Sequence, residues 1–291
     1  MLDDKIKSHL QLHLIVFIWG FTAVLGALIT IKEESLVWYR MLFACFFLLI
    51  YLIIKKKSIK LPFRDVIKIG SVGFLIALHW IFFFKAINIS NVSITLSVFS
   101  LGAFMASILE PIFFNRKILW YEVIFGLFIL AGLSIIMKAE ISYLNGIYCA
   151  LFSIFVGVIF TLLNGKLILK HDSKVIAFYE FLAGFLFVSV YLLFENKINI
   201  AFFNLSVNDL VLILILASIC TAYAFTASVD VMKKLTPYTV MLTTNLEPVY
   251  GIFLAYFIIG GNEKMSITFY IGSIIILVTV ILNSVIKHLK K

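Results

Sequence analysis

Long apolar runs that alternate with short polar segments constrain this chain more than any other feature of its sequence. A hydrocarbon core about 30 Å thick needs about 20 helical residues to cross it, and the apolar runs have roughly that length. Charged residues make up only 13% of the 291 residues, about half the fraction of a soluble domain. We therefore predict an all-α integral membrane protein with ten transmembrane helices, called spans 1 to 10. The predicted spans are 9–30, 36–54, 66–88, 91–114, 118–137, 143–164, 174–194, 208–229, 236–259 and 267–286.

The lysines and arginines predict the orientation of these spans. If the N-terminus lies in the cytoplasm, 18 of the 24 Lys and Arg residues fall in cytoplasmic segments, and each external loop carries only one. Cytoplasmic loops are enriched in positive charge, so we predict that both termini are cytoplasmic. The expected location is the cell (inner) membrane, as a multi-pass protein. The net charge of +9 is then a consequence of topology, so we predict the lipid bilayer and no nucleic acid as a partner.

The ten spans divide into two sets of five. Because five crossings are an odd number, the second set enters the membrane upside down, an inverted repeat that is typical of secondary transporters. We predict a first five-helix repeat over 1–140 and a second, inverted five-helix repeat over 141–291. Weak sequence matches agree with this division. The matched pairs are Gly20 with Gly157, Arg40 with Glu180, Ser90-Asn91 with Thr236-Pro237, and Gly126 with Gly272.

The tripeptide Leu-Glu-Pro occurs twice, with its acid at Glu110 and at Glu247. Pairing these two copies would require a different offset, which would misplace the glycines of spans 5 and 10. We therefore interpret the match as coincidence. Glu110 also lies close to Arg116 and to the cytoplasmic edge, so we predict a structural role for it.

Several motifs resemble those of EamA-type members of the drug/metabolite transporter superfamily. They are FIWGFTAVLG in span 1, VWYRMLFA in span 2, and LTPYTVMLTTNLEPVYGIFLAYFIIGGNEKMS through span 9. This chain departs from the family pattern in the turn after span 9, which reads Gly260-Gly261-Asn262-Glu263, and in the turn after span 4, which has no acid. The resemblance implies that spans 1–4 and 6–9 surround a central cavity, that spans 5 and 10 lie outside, and that alternating access moves small metabolites. It also suggests a homodimer through the peripheral fifth and tenth helices.

Span 9 places an acid and a helix breaker deep in an apolar run. Thr236 and Pro237 are typical of a helix start, and Glu247 follows 11 residues after Thr236, about 16 Å along the helix. A charge at that depth costs roughly 3 kcal/mol on insertion scales and usually faces a cavity. Pro248 frees the backbone carbonyl of Thr244, which predicts a kink suited to gating.

Helical spacing predicts that Thr243, Thr244, Glu247 and Tyr250 share one face. We predict that this face binds substrate or couples transport to protons. The alternative is a protonated Glu247 that is hydrogen-bonded to a neighbouring helix for stability alone.

Polar and aromatic residues in other spans are further candidates for the cavity. Arg40 suits a carboxylate-bearing substrate, or else it extends to the membrane surface. His79 is a candidate proton carrier or stacking partner, or else a packing residue. Ser97 belongs to a serine stripe that also suits helix packing. The remaining candidates are Asn164 at the cavity mouth and the aromatic walls Trp19 and Tyr223.

Motifs for other chemistry are absent from the sequence. There is no phosphate-binding GxxxxGK[ST] loop, no HExxH and no nucleophile elbow, and Cys45, Cys149 and Cys220 lack metal spacing. We expect no catalytic residues, metal or cofactor. The predicted function is a secondary transporter that moves small metabolites, amino acids or related amphipathic compounds, most simply by export. The alternatives are an uncoupled facilitator, a non-transporting membrane subunit and, with least support, a membrane-embedded lipid enzyme.

Overall fold

The structure, a computed structural model, describes residues 4–260 and 265–289. Within these residues the chain is helical and contains no β-strand. The α-helices are α1 (Asp4–Leu28), α2 (Glu33–Ile54), α3 (Phe63–Ile89), α4 (Val92–Phe99), α5 (Gly102–Phe114), α6 (Trp120–Ala139), α7 (Leu144–Leu167), α8 (Ser173–Phe194), α9 (Val207–Ile215), α10 (Ala224–Val231), α11 (Pro237–Thr244), α12 (Glu247–Ile258) and α13 (Ile267–Leu289).

Helices coincide with the ten predicted spans. In the described part of the chain, eight helical stretches are long and apolar enough to cross a membrane, and Ile267–Asn283 is a shorter apolar stretch. Span 9, which consists of two short helices, α11 and α12, is not among the eight, whereas span 4, also divided into two helices, is counted as Val92–Phe114. The predicted turn over Gly261, Asn262 and Glu263 lies outside the described residues.

Both copies of the fourth helix are interrupted. The break in span 9 falls at Asn245 and Leu246, one turn before Pro248, whose ring nitrogen has no hydrogen for the Thr244 carbonyl. The helix is thus interrupted next to Pro248, where the sequence predicted a kink. Span 4 was expected to be continuous, but it breaks at Ser100 and Leu101, between α4 and α5. No proline lies at that point; instead Gly102, a weak helix former, begins α5.

Span 8 contains a wide helical turn. Leu216–Tyr223 forms a π-helix between α9 and α10. The Thr221 hydroxyl donates to the carbonyl of Leu216, five residues earlier, at 2.7 Å. A π-turn holds more residues than an α-turn, so it changes the faces on which the following side chains lie.

The helices of the two halves interlock. α3 packs against α7 and α8, α1 packs against α10 and α12, and α2 packs against α8. The α3–α8 crossing is especially close, because a Cβ atom added to Gly73 would lie 2.1 Å from the carbonyl oxygen of Glu180. α6 and α13 pack against each other at Gly132 and Gly272, apart from the central group.

Large apolar side chains cover the outer surface of the bundle. Phe46, Ile53, Phe128, Phe253 and Ile274 are all exposed, as a lipid-facing surface requires. Buried polar side chains, by contrast, concentrate between the helices. The site is therefore expected in the interior.

Candidate functional site

A cavity lies between α1, α2, α3, α7, α10 and α11, close to both helix breaks. Its space accessible to the centre of a water molecule is about 90 Å³. One water needs roughly 10–15 Å³ of such space, so the cavity has room for several waters or a small solute. Of the predicted site residues, Trp19, Arg40, His79, Asn164, Thr244 and Glu247 line it.

Arg40 enters the cavity wall from α2 and is buried, with 2% of its surface exposed. Its guanidinium carbon lies 3.7 Å from the ring centre of Trp80, and its Nε donates to the Thr221 hydroxyl at 2.6 Å. Its Nη1 has no hydrogen-bond partner. Among the described residues Arg40 forms no salt bridge, so a buried cation faces the cavity with an unused donor. The guanidinium does not extend to the membrane surface.

Glu247 is the first residue of α12, directly after the break in span 9. It is buried, at 7% exposure, and lines the same cavity as Arg40. In the part of the chain that the structure describes, no hydrogen bond or salt bridge engages its carboxyl group. A cation and an acid thus border one small cavity, close enough to attract each other but not joined by a direct salt bridge.

His79 is fixed against α7. Its Nδ1 lies 2.8 Å from the carbonyl oxygen of Ser153, which can only accept a hydrogen bond, so Nδ1 carries a hydrogen. The Ser153 hydroxyl donates to the His79 carbonyl at 2.7 Å. In the neutral ring, Nε2 is then left as the free acceptor.

Asn164 lines the cavity from the last turn of α7 and is only 1% exposed. Its amide lies beside the fully buried carboxyl group of Glu180, without the geometry of a regular hydrogen bond. Glu180 is the predicted repeat partner of Arg40, and no salt bridge joins these two residues in the described structure. The two halves therefore contribute opposite charges at corresponding positions, but in separate places.

The cavity reaches toward the end of the bundle that carries the lysine-rich linkers. Asn164 lies near the end of α7, and Met232 directly follows α10. Side chains tie the opposite end together: the Asp209 carboxylate accepts hydrogen bonds from the backbone N–H and the hydroxyl of Thr30, both at 2.8 Å. Tyr39 donates to the Phe202 carbonyl there at 2.9 Å.

Several cavity residues were not anticipated from the sequence. Four phenylalanines, with Trp80, form aromatic walls of the cavity. Helical spacing would have found some, since Phe83 is four residues after His79 and Phe160 four before Asn164. The four phenylalanines are Phe83, Phe99, Phe160 and Phe225.

Four predicted site residues lie outside this cavity. Tyr223, at the end of the π-helix, is 47% exposed and does not line the cavity. The break at 245–246 lies between α11 and α12. Thr243, on α11, donates to the Thr239 carbonyl, and Tyr250, on α12, packs on Phe17. Ser97 borders a second cavity.

The geometry defines a polytopic helical membrane protein with a small aromatic cavity that holds a buried guanidinium and a buried carboxyl group not joined by a direct salt bridge. No cluster of three or more His, Cys, Asp or Glu side chains that would hold a metal occurs among residues 4–260 and 265–289. A sequence profile of the EamA-like transporter family matches residues 6–138 and again 144–285. The chain belongs to the EamA-like transporter family, whose members are membrane transporters.

Two further comparisons were made. No curated protein sequence matches this chain significantly. A solved structure described only as the crystal structure of a protein superposes with a TM-score of 0.71 over 98% of this chain and 99% of its own, at 14% identity. At that identity, the likeness shows the fold alone.

Proposed function

We propose that this protein is a secondary transporter that exports small metabolites, amino acids or related amphipathic compounds, across the cell (inner) membrane by alternating access. The observation that carries the proposal is the shared cavity of Arg40 and Glu247, two buried groups of opposite sign that attract each other without forming a direct salt bridge. A zwitterion would satisfy both, since its carboxylate fits the guanidinium fork and its ammonium group fits a carboxylate. The aromatic walls suit an apolar side chain on the same molecule.

The proposed topology has ten spans in two inverted repeats, with both termini in the cytoplasm. Reciprocal packing between the halves supports it, because α3 of the first half packs against α7 of the second, and correspondingly α10 of the second half packs against α1 of the first. The cavity reaches the lysine-rich end, and hydrogen bonds close the opposite end. This arrangement fits an inward-facing state, and transport requires the opposite closure.

Uptake into liposomes tests the function. Purified protein is reconstituted and offered radiolabelled amino acids, nucleosides and sugars, with and without an imposed pH gradient. Saturable movement of amino acids, lost in Arg40→Met and reduced in Arg40→Lys, is the expected result. Arg40→Lys is the matched control because it keeps the charge but not the planar fork. Movement of sugars alone would contradict the zwitterion hypothesis.

The same experiment separates the alternatives. Transport that responds to the pH gradient supports proton exchange at Glu247, and transport that ignores it supports an uncoupled facilitator. Folded protein that moves no compound would favour a non-transporting subunit. The proposed homodimer through α6 and α13 is tested separately, by the mass of the purified protein in detergent.

A further inference from the structure

A second cavity lies on the outer flank of the helix breaks, between α4, α12 and α13. Its space accessible to the centre of a water molecule is about 330 Å³, larger than the central cavity. We call it the flank groove and define it by Ser97, Ser100, Asn245, Phe253, Ser273 and Ile274. Its polar residues meet the two breaks directly, since Ser100 ends α4 and Asn245 separates α11 from α12.

The floor of the flank groove carries hydrogen-bonding atoms without partners. Asn245 is 4% exposed, and its Nδ2 donor has no acceptor in the described part of the chain. The Ser273 hydroxyl oxygen is likewise buried without a partner. Ser97 differs, because its hydroxyl donates to the Ser93 carbonyl at 2.8 Å. Buried polar atoms are rarely left unpaired, so Asn245 and Ser273 point to a ligand.

The walls of the flank groove are apolar and open to the lipid side. Phe253 is 63% exposed and Ile274 is 59% exposed, and both continue the lipid-facing surface. No Asp, Glu, Lys, Arg or His is among the described residues that line the groove. An occupant therefore arrives from the bilayer, carries no charge, and has an apolar body with a polar atom at one end.

We propose that the flank groove binds an uncharged single-chain amphiphile from the bilayer, of the class of long-chain alcohols. The chain lies between α12 and α13, and the hydroxyl oxygen accepts a hydrogen bond from Asn245 Nδ2. The hydroxyl hydrogen donates to the Ser273 oxygen, so both unpaired atoms gain partners. This ligand site is separate from the central cavity to which the proposed transport is assigned. Because Asn245 lies between the two halves of the broken helix, the occupant contacts the hinge itself.

Photolabelling of the full-length protein in lipid nanodiscs tests the proposal. The probe is a long-chain primary alcohol with a diazirine on its chain, and the matched probe is the alkane of equal length with the same diazirine. The alcohol is expected to label α12 and α13 beside Asn245, and excess unlabelled alcohol should compete. Asn245→Leu removes one neutral hydrogen bond, so labelling should fall roughly two- to tenfold.

The controls distinguish a specific site from general lipid contact. Ser134→Ala removes an exposed hydroxyl on α6 that bonds its own helix, and it should leave labelling unchanged. If Asn245→Leu fails to fold, Ser273→Ala must give a similar loss. Equal labelling by alcohol and alkane, or an unlabelled groove covered by a second copy, would overturn the proposal. Labelling does not require transport, so this result and the transport result can fail separately.

Discussion

The two Leu-Glu-Pro copies have the same sequence but lie in different surroundings. Glu110, near the end of α5, receives a hydrogen bond from Arg116 Nε at 2.6 Å and another from the backbone N–H of Tyr238 at 2.9 Å. Arg116 also contacts the Glu122 carboxylate at 2.9 Å. Glu247 instead begins α12, lines the central cavity and receives no hydrogen bond from the described residues.

The difference shows how position decides the role of a carboxyl group in a membrane protein. Glu110 accepts a hydrogen bond from the Tyr238 N–H at the start of α11, where the helix dipole favours negative charge. The Glu110 carboxylate is hydrogen-bonded within the protein, and its bond with the Tyr238 N–H links the two halves. The Glu247 carboxyl group makes no hydrogen bond with the described residues, so its oxygens are free to bind a solute or a proton. The next predictions test this division, from the largest expected effect to the smallest.

Arg116→Ala should cause the largest loss of stability, because it leaves the buried carboxylates of Glu110 and Glu122 without their cation. Breaking a buried pair costs about 3–5 kcal/mol, and because the Arg116 side chain is 26% exposed we expect about 3 kcal/mol. Thermal unfolding of the purified protein in detergent measures the effect. Arg116→Lys should recover part of the stability. Wild-type stability in Arg116→Ala would show that these ion pairs contribute nothing.

Glu247→Gln should cause the largest loss of transport. A hydrogen bond to a charged group contributes about 1.5–3 kcal/mol, so uptake of the substrate found in liposomes should fall roughly ten- to a hundredfold. Any response to the pH gradient should disappear, while unfolding stays near wild type.

Glu110→Gln is the matched control, since it makes the same change in the same tripeptide. It should lower the unfolding temperature and leave uptake within about twofold of wild type, a change of less than about 0.5 kcal/mol. If the two variants behaved alike in both assays, the division between a structural and a functional carboxyl group would be abandoned.

Much of this arrangement could be predicted from the sequence, and the failures have physical causes. Mid-membrane polarity identified Arg40, His79 and Glu247, which the structure brings to one cavity, because polar groups at that depth must face inward. Tyr223 does not line this cavity, and no residue pattern signalled the π-helix that ends at it. The Thr221 partner of Arg40 depends on packing between the halves, and the Asn164 neighbour of Glu180 depends on packing between α7 and α8; helical periodicity encodes neither.

The prolines of the two tripeptides give a smaller contrast. Pro248 lies just after the break in span 9, whereas Pro111 lies inside α5 without interrupting it. Pro248→Ala restores an N–H for the Thr244 carbonyl and should join α11 to α12, slowing any movement at the hinge. If the joined helix raised the free-energy barrier to this movement by about 1 kcal/mol, uptake would fall roughly fivefold.

Pro111→Ala is the control, with uptake expected to stay at the wild-type level. Both variants are measured in the liposome assay, with circular dichroism to compare helix content. Equal uptake by Pro248→Ala and the wild type would show that the break is not a hinge.

The smallest loss of stability is expected from breaking the ion pair of Asp172. At the surface, Asp172 has the role that Glu110 has in the interior, since each accepts hydrogen bonds from a helix N-terminus and from a cation. It caps α8 by accepting a hydrogen bond from the Lys174 N–H at 2.9 Å, and Lys57 Nζ donates to it at 2.6 Å. The two charged side chains are 39% and 32% exposed, so water screens their attraction. Lys57→Ala should therefore lower the free energy of unfolding by less than about 1 kcal/mol, against about 3 kcal/mol for Arg116→Ala.

The pH dependence of this effect distinguishes charge from packing. Burial alone would raise the pKa of Asp172, but the hydrogen bonds from Lys57 and the Lys174 N–H lower it below its ordinary value of 3.8. A folded pKa below the unfolded one means that the stabilisation is present above the unfolded pKa and is lost as pH falls through the folded pKa. The difference in unfolding temperature between the wild type and Lys57→Ala should thus be present at neutral pH and vanish in strong acid. A difference that persists in strong acid would mean that the Lys57 side chain stabilises the protein by packing. Screening of the charges by water would then not explain why the ion pair of Asp172 contributes less stability than that of Glu110.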